Sequence, residues 1–247
     1  MKILFALPAF NEEKDLPKLL DAFDRQMEVS HYRFQVVIVD DGSTDGTLSV
    51  IREWSSKMPI DVLQHAKNSG LGETIQDALH RSADLAEVDD VVVTMDADNT
   101  HSPTLIPAMV EAIQKGSDVV IASRYRRGSR VVGLSVPRHV MSWGARFLFQ
   151  IAFPIAGVRD YTCGFRAYRA SLLKNAFARY DKTLVQERGF AAMAEILLKL
   201  RTMNPKFHEV PMVLRYDFKS GDSKMRVGAT VMKTLRMMRR LRSALPA

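Results

Sequence analysis

The feature that most constrains the fold of this chain is a regular alternation of apolar, β-branched runs with longer amphipathic segments. In the first of these segments Leu16, Leu19 and Phe23 recur at helical spacing. Strands that alternate with helices in this way form βαβ units, so we predict an α/β fold with a mostly parallel sheet flanked by helices. The predicted strands span 3–7, 34–39, 60–63, 91–95 and 119–122, and the predicted helices span 12–28, 45–57, 71–86 and 103–115.

After residue 123 the alternation becomes irregular, although neither a linker nor an internal repeat interrupts the chain. We therefore predict a single domain over 1–247 whose second half elaborates the first. The second half is predicted to contain a loop rich in Gly and Arg at 124–135, a helix at 137–153, the ordered motif YTCGFRAY, a helix at 188–200, a strand at 207–214 and a basic helix from 225.

Charge is divided unevenly between the two halves. Residues 1–123 carry 10 Lys and Arg against 21 Asp and Glu, a net −11, and residues 124–247 carry 25 against 7, a net +18, which together give the +7 of the chain. An acidic half followed by a basic half suggests two tasks, holding a metal ion and holding an anion. A basic nucleic-acid-binding module is the alternative, although no zinc-finger, RNP or helix-turn-helix signature is present.

The single cysteine, Cys163, excludes an intramolecular disulfide and fits a reducing, cytoplasmic setting. Because it lies beside Gly164 in a packed motif, we predict a core residue rather than a nucleophile. No signal peptide is predicted, since the apolar start of the chain soon gives way to the polar PAFNEE. The most apolar later stretch, 147–158, contains Gln150 and Pro154 and is too short to span a bilayer.

Polar clusters follow the predicted strands at the points where each strand ends. In open parallel sheets ligands bind outside the carboxyl ends of the strands, so these clusters predict one ligand site. The first strand is followed by PAFNEE, which lacks the glycines of a dinucleotide-binding fingerprint, and no P-loop motif is present. A dehydrogenase and a P-loop nucleotidase are therefore disfavoured. The clusters span 8–12, 40–45, 68–72 and 96–101.

Two of these clusters present paired carboxylates. In VVIVDDGSTDGT, Asp40 and Asp41 end a strand, and one of them can hydrogen-bond a base or a ribose hydroxyl. Ser43 belongs to the turn that follows, and Asp45 is placed to cap the next helix.

The second pair, Asp96 and Asp98 in VVVTMDADNTHSP, lies where a strand ends and the chain turns. Two carboxylates there suit a hard divalent cation, Mg²⁺ or Mn²⁺, that is shared with substrate phosphates. Pro103, just inside the next helix, fits the turn. The alternative is a solvated loop in which Ser102 caps that helix.

PAFNEE, VVIVDDGSTDGT, NSGLGETI and MDAD, in this order and spacing, resemble the nucleotide-sugar-binding half of inverting GT-A glycosyltransferases of family 2. ASRYRRGS, PRHVMSWGARFL, RDYTCGFRAYR and VPMVLRYDFKSGDSKM are similar to the dolichol-phosphate mannosyltransferase branch, whose acceptors are polyprenyl phosphates. The resemblance implies a GT-A fold with a nucleotide-sugar-binding half at 1–123, an acceptor-binding half at 124–224 and a basic amphipathic helix at 225–247.

By this resemblance the chain is expected to transfer a hexose, mannose or glucose, from a GDP- or UDP-sugar to a polyprenyl phosphate with inversion. Asp96 and Asp98 would bind the Mg²⁺ or Mn²⁺ ion on the diphosphate. The residues expected at the nucleotide are Pro8, Phe10, Glu12, Asp40, Asp41, Asn68 and Asp96, and those expected to be catalytic are Asp98, Arg124, Arg138, Ser142, Asp160 and Lys224.

This chemistry agrees with the division of charge. A phosphate monoester is already ionised at pH 7 and attacks without a strong general base, so the enzyme mainly positions both phosphates and neutralises their charge. Arginine suits the task because its planar fork binds phosphate oxygens bidentately. Glu187 and Glu195 are less favoured candidates for a base.

The chain departs from the family pattern at two places. Asn99 and Thr100 occupy the loop where a third metal contact is expected, and Phe218 stands where an arginine is common. Lys219 or Arg215 are the candidates to replace that arginine.

The C-terminal stretch SKMRVGATVMKTLRMMRRLRSALPA contains basic residues and no acidic ones. Val231, Leu235, Met238 and Leu241 or Leu245 align at helical spacing. This pattern predicts either a peripheral contact with anionic lipid on the cytoplasmic face of a membrane or a helix packed on the domain. A non-lipid acceptor, a homo-oligomer and a membrane-anchoring partner stay open.

Overall fold

The computed structural model of the protein describes residues 1–189, 191–218 and 227–244. The strands are β1 (Lys2–Ala9), β2 (Arg33–Asp40), β3 (Ile60–Gln64), β4 (Val91–Thr94), β5 (Val119–Ser123), β6 (Arg130–Val132), β7 (Arg166–Arg169), β8 (Phe207–Pro211) and β9 (Val213–Arg215). The helices are α1 (Leu16–Ser30), α2 (Thr47–Trp54), α3 (Leu71–Leu85), α4 (Ile106–Gln114), α5 (Val136–Ala152), α6 (Ala170–Tyr180), α7 (Ala192–Arg201) and α8 (Val227–Ala244).

Seven of these strands form one central sheet in the order β3-β2-β1-β4-β7-β5-β8. Strand β7 runs antiparallel to both of its neighbours, and the other pairs of this sheet are parallel. Strands β6 and β9 form a separate parallel pair. The predicted α/β class with a mostly parallel sheet is therefore confirmed.

Strand β1 lies at the centre of the hydrophobic core. Consecutive residues from Ile3 to Leu7 are fully buried, and because successive side chains of a strand point to opposite faces, both faces of the sheet are covered. Helix α3 packs against β1, β2 and β4, and α4 packs against β5, β7 and β8. In a strand buried on both faces, polar residues are tolerated only where the chain leaves the sheet. The carboxylate clusters therefore lie at the edge of the sheet that the carboxyl ends of the strands form.

The antiparallel strand β7 brings a third group of residues to that edge. Because β7 begins where β4 ends, Arg166 lies opposite Thr94, and the Thr94 hydroxyl donates to the Gly164 carbonyl at 2.8 Å. Arg166 is fully buried and donates to the Met193 and Tyr161 carbonyls at 2.7 and 2.8 Å. The motif YTCGFRAY therefore leads into the sheet beside the predicted metal-binding loop.

The predicted elements of the first half are all present, with ends shifted by a few residues. Helix α1 begins at Leu16 rather than at 12, since the chain first turns so that the Glu12 carbonyl accepts the Asp15 and Leu16 N–H groups. At the start of α2, the Asp45 carboxylate accepts the Thr47 N–H at 3.0 Å, although Gly46 holds the N-cap position. Ser102 precedes the short turn Pro103–Leu105, but its hydroxyl contacts the Thr104 hydroxyl instead of capping the backbone.

The second half differs more from the prediction. The single strand expected at 207–214 is divided, because the chain leaves the large sheet after Pro211 and pairs with β6 instead. Helix α6 and strand β6 were not predicted, although Leu172, Leu173 and Phe177 of α6 have helical spacing. Helix α7 begins at Ala192 rather than at 188.

Candidate active site

A cavity of about 840 Å³ opens at the carboxyl ends of β1, β4 and β5, between these strand ends and helices α5 and α8. Most of the residues predicted from the sequence lie in its wall. They are Pro8, Phe10, Glu12, Asp41, Asn68, Asp96, Asp98, Arg124, Arg138 and Ser142. Asp40 and Asp160 are not part of the wall, and Lys224 lies outside the described residues.

The loop after β1 is held in place by the loop after β2. Asn11 adopts a left-handed conformation with φ of 54°, and its backbone N–H donates to the Ser43 hydroxyl at 2.9 Å. The Glu12 backbone N–H donates to the Thr47 hydroxyl at 2.8 Å. These bonds fix Phe10 and Glu12 at the cavity wall.

Asp41 supports the segment that follows β3. Its Oδ1 accepts the Ser69 N–H at 2.8 Å, and its Oδ2 accepts the Gly70 N–H at 2.9 Å. His65 bridges this carboxylate and Asp77, with nitrogen–oxygen distances of 2.8 and 3.0 Å. Burial opposes the charge on His65, yet its hydrogen bonds to the two carboxylates raise its pKa overall. Asp41 thus lines the cavity and also holds the backbone of its wall.

Asp40 is fully buried behind the same wall. Its Oδ1 accepts the Ser43 N–H at 3.2 Å, which is the turn role expected of this motif. Its Oδ2 has no hydrogen-bond partner among the described residues. Since Asp40 does not reach the cavity wall, its predicted contact with a base or ribose hydroxyl stays a prediction.

Asp96 and Asp98 both face the cavity from the loop after β4. Asn99 takes a left-handed φ of 59°, and the Asp98 Oδ1 accepts the Thr100 N–H and hydroxyl at 3.2 and 2.7 Å. A Cβ at Gly164 would lie 3.3 Å from the Asp96 Oδ1, so glycine leaves room beside that carboxylate.

The described residues contain no cluster of three or more His, Cys, Asp or Glu side chains that could hold a metal ion. The carboxylates of Asp96 and Asp98, which line the same cavity, are nevertheless a donor set that fits Mg²⁺ or Mn²⁺, because these cations take oxygen ligands and share the rest with water and substrate phosphates. Thr100 donates its hydroxyl to Asp98 and so stabilises the loop on which both carboxylates lie.

Arg124 is fixed by a buried carboxylate at the end of β5. Its Nε and Nη2 donate to Asp160 at 2.8 and 2.6 Å, and Nη2 also donates to the Thr162 hydroxyl at 2.7 Å. Burial alone would raise the pKa of Asp160, but the charge and hydrogen bonds of Arg124 lower it overall. The same pairing outweighs burial and raises the pKa of Arg124 well above its usual value. Asp160 therefore positions Arg124 from behind the wall.

The Tyr216 side chain lies near both positive and negative side chains of the site. Burial raises the pKa of its phenol, Arg124 and Arg138 counteract that rise, and Asp96 adds to it. The Arg138 guanidinium lies 5.6 Å from the centroid of the Tyr216 ring. Arg124, Arg138 and Asp96 therefore all lie close enough to Tyr216 to affect its pKa.

Comparison with known proteins now gives the family. The family model described as "Glycosyl transferase family 2" matches residues 5–177, more than half of the chain. The chain belongs to glycosyl transferase family 2. The resemblance inferred from the motifs is thereby confirmed.

Curated relatives of this family 2 chain extend beyond the matched segment. A dolichol-phosphate mannosyltransferase of Pyrococcus furiosus is 33% identical over 242 residues, which cover 98% of this chain and 64% of that protein. An undecaprenyl-phosphate mannosyltransferase of Micrococcus luteus is 28% identical over 229 residues, which cover 92% of this chain and 89% of that protein. The chain thus spans less than two thirds of the Pyrococcus protein.

Among solved structures, glucosyl-3-phosphoglycerate synthase of Mycobacterium tuberculosis, in complex with Mn²⁺, UDP and glucosyl-3-phosphoglycerate, superimposes on this family 2 chain with a TM-score of 0.66. The two are 20% identical, and the match covers 100% of this chain and 81% of the other. At this level of identity the likeness shows the fold, and it confirms the predicted GT-A arrangement.

Several residues in or behind the cavity wall were missed from the sequence. Thr162, Arg188 and Tyr216 line the wall, and His65 and Tyr125 bind the wall residues Asp41 and Ser142. Tyr125 lies in the motif ASRYRRGS and Tyr216 in VPMVLRYDFKSGDSKM, each next to an arginine in sequence. That position beside an arginine is the sequence feature that could have identified them. The Tyr125 hydroxyl contacts both the hydroxyl and the carbonyl of Ser142. His65 and Arg188 gave no local signal, because their partners are distant in sequence.

The structure also bears on Cys163, on Glu195 as a candidate base, and on the two candidates to replace the missing arginine. Cys163 borders the cavity but is only 4% exposed, which confirms the predicted core residue, and burial raises the pKa of its thiol to about 12. Glu195 is also fully buried, and its two oxygens accept from backbone and cationic groups, which argues against a base. Lys219 lies outside the described residues, and Arg215 pairs with Asp217.

Helix α8 packs on the domain of this family 2 chain. Met238 and Leu241 of the predicted stripe are buried, whereas Leu235 is 42% exposed at the cavity wall. The side chains of Val231 and Leu245 lie outside the described residues. The apolar stripe of α8 is therefore largely used inside the protein. No helix in the described part of the chain is long and apolar enough to cross a bilayer.

Proposed function

We propose that this chain transfers a hexose, in the first place mannose, from a GDP- or UDP-sugar to the phosphate of a polyprenyl lipid, with a divalent cation and with inversion. The observation that carries the proposal is the combination of three chemistries in the wall of one cavity. Paired carboxylates at the end of β4, two arginines and a set of apolar side chains all line it. The names of the Pyrococcus and Micrococcus relatives support the same substrates.

On the donor side, Asp96 and Asp98 would hold Mg²⁺ or Mn²⁺. The cation would neutralise negative charge on the diphosphate as it leaves. The fold neighbour from Mycobacterium tuberculosis, solved with Mn²⁺ and UDP and also with Mg²⁺ and UDP, supports this cofactor class. Phe10, Glu12 and Asn68 would surround the nucleoside from the loops that follow β1 and β3.

On the acceptor side, Arg124 and Arg138 would bind the lipid phosphate, with Ser142 beside them. A phosphate oxygen forms a bond to the anomeric carbon while the bond from that carbon to the diphosphate oxygen breaks, so the configuration inverts. The ionised phosphate needs no strong base, which agrees with the engagement of Glu195 in structural bonds. Asp160 would act through Arg124, and Lys224 remains a predicted contact.

The apolar wall is the feature that favours a lipid over a small soluble acceptor. It contains Leu134, Met141, Ala145, Leu148 and Leu235, and the two arginines line the same cavity. A phosphorylated small molecule would leave this surface without apolar contacts, whereas the first isoprene units of a lipid phosphate would cover it.

The outer side of α5 supports a peripheral position on a membrane, and we propose its cytoplasmic face. Val140, Phe147 and Ile151 are 66%, 52% and 82% exposed, and they recur at helical spacing. The Arg146 guanidinium lies 4.7 Å from the Trp143 ring, and α5 has no acidic residue. An aromatic and aliphatic face with arginines suits the interface of an anionic bilayer. We therefore assign the main membrane contact to α5 rather than to α8.

The proposal is tested with the purified chain and a panel of donors. GDP-mannose, UDP-glucose and related sugars are each incubated with undecaprenyl phosphate or 3-phosphoglycerate, with and without Mn²⁺. We expect metal-dependent transfer from one donor to the lipid. Transfer to 3-phosphoglycerate alone would instead support a non-lipid acceptor.

Thermal stabilisation by GDP, UDP and single-stranded RNA provides the binding control, because an RNA-binding module would respond to RNA without a cation. Arg138→Ala should lower turnover on the lipid far more than it weakens nucleotide binding. Near-normal transfer by this variant would remove the acceptor assignment.

A further inference from the structure

The carboxylate of Glu195 joins three separate parts of the chain inside the protein. Glu195 is fully buried, and its Oε2 accepts the backbone N–H groups of Gln186 and Glu187 at 2.7 and 2.8 Å. Its Oε1 accepts from Lys199 and from Arg240 of α8, at 2.7 and 2.8 Å. A buried carboxylate is stable only when charge and hydrogen bonds compensate for lost water, and this one has both.

The segment 186–189 that Glu195 holds forms part of the nucleotide side of the cavity. Arg188 and Gly189 line the wall, and the Arg188 carbonyl accepts the Gly72 N–H at 3.2 Å. A Cβ at Gly72 would lie 1.6 Å from the Glu187 carbonyl oxygen, so the segment presses directly on the start of α3. Asn68, Gly70 and Leu71 line the cavity at the same point. A shift of 186–189 would therefore move the donor wall.

Arg240 connects this segment to the opposite side of the same cavity. Besides Glu195, its Nη2 contacts the Glu187 carboxylate at 3.0 Å. Two residues of the same helix, Thr234 and Leu235, line the cavity, where Leu235 joins the apolar wall. Met237 and Leu241 are buried and fix this helix against the domain. A single guanidinium thus links the donor wall to the helix beside the acceptor.

We propose that Arg240 is a positioning residue that couples donor binding to acceptor binding. This inference rests on the proposed function. A nucleotide that orders 186–189 would, through Arg240, also order the part of α8 that contributes Leu235 to the apolar wall. The lipid would then bind a wall that is already ordered. By thermodynamic reciprocity, the lipid phosphate must increase nucleotide affinity by the same factor.

The coupling is measured as a ratio of affinities in the full chain. The dissociation constants of GDP and of UDP, each with Mn²⁺, are determined with and without farnesyl phosphate in detergent micelles. We expect the lipid phosphate to tighten binding of the preferred nucleotide by about fivefold or more, the lower end of typical allosteric couplings. In Arg240→Gln the factor should fall to about one, since the link between the two walls is lost.

Two variants separate coupling from folding. Arg239→Gln removes a neighbouring exposed arginine of the same helix and should keep the wild-type factor. Arg240→Lys keeps a cation against the buried Glu195. Because a single nitrogen of Arg240, Nη2, contacts both carboxylates, an ammonium with three donors should fold and restore a factor between those of Arg240→Gln and wild type. A merely structural role would weaken both ligands without changing the ratio.

Each result has a definite reading. If the wild-type chain binds a nucleotide but the lipid phosphate does not change its affinity, the coupling is wrong and the proposed function stands. If Arg240→Gln folds and keeps the full wild-type factor, or if Arg240→Lys folds and restores none of it, Arg240 is not the link. If neither nucleotide binds to the wild-type chain, the proposed function fails, and the coupling fails with it.

Discussion

The ion pair of Arg124 and Asp160 gives the sharpest test of how the site is held together. Asp160→Asn keeps the shape of the side chain and removes its charge. In the native chain the Asp160 carboxylate accepts from the Arg124 side chain and from the backbone N–H groups of Arg124, Thr162 and Cys163. An amide has one acceptor oxygen, so the substitution places an NH₂ group against a guanidinium or against backbone donors.

The burial of the Arg124–Asp160 pair determines how much the substitution lowers the free energy of unfolding. The Asp160 side chain is fully buried and that of Arg124 is 15% exposed. Removing one partner of a buried pair lowers the free energy of unfolding by about 3–5 kcal/mol, and asparagine, which retains one acceptor, should fall near 3 kcal/mol. In a chain of this length, about 3 kcal/mol corresponds to a drop in Tm of roughly 6–12 °C.

The assay is calorimetry or urea unfolding, with Asp61→Asn as the matched control. Asp61 also pairs with an arginine, but the Arg81 side chain is 41% exposed, and such a pair contributes at most about 1 kcal/mol. We also expect Asp160→Asn to weaken lipid-phosphate use about tenfold, which corresponds to about 1.4 kcal/mol. The positioning role would be refuted if Asp160→Asn had the same Tm as the Asp61→Asn control and transferred sugar at the wild-type rate.

Three further predictions follow from burial and charge. Because its pKa is about 12, the Cys163 thiol should resist alkylation at pH 8 in the folded chain and react once the chain is unfolded in urea; rapid labelling of native protein would contradict its burial. The raised pKa of His65 stabilises the folded state fully below its unfolded pKa, near 6.5, and this contribution disappears as the pH rises through the folded value. The destabilisation caused by His65→Gln should therefore be larger at pH 5.5 than at pH 8.5, and a difference independent of pH would refute the pairing. The double substitution Phe147→Ser with Ile151→Ser should reduce binding to anionic vesicles by at least about tenfold, whereas Val88→Ser, at another exposed apolar residue, should not; equal binding of both variants would reject α5 as the contact.

The sequence by itself was sufficient for the features that depend on local order. Apolar periodicity located the strands and helices of the first half, because burial on a sheet or helix face repeats every two or about 3.6 residues. Strand ends followed by acids located Asp41, Asp96 and Asp98 at one edge, since parallel strands present their carboxyl ends together. The family motifs then pointed to Arg124 and Arg138 on the same wall.

The tertiary structure decided which side chains touch the cavity and which act from behind it. Asp160 and Arg124 are 36 residues apart, and Glu195 and Arg240 are 45 apart, so no local pattern reports either pairing. The antiparallel entry of β7, which sets Gly164 beside Asp96, depends on where the chain re-enters the sheet after α5. Side-chain chemistry can be read along a chain, but burial and partnership arise only when distant segments pack. For that reason the residue types of this site were predictable and its internal supports were not.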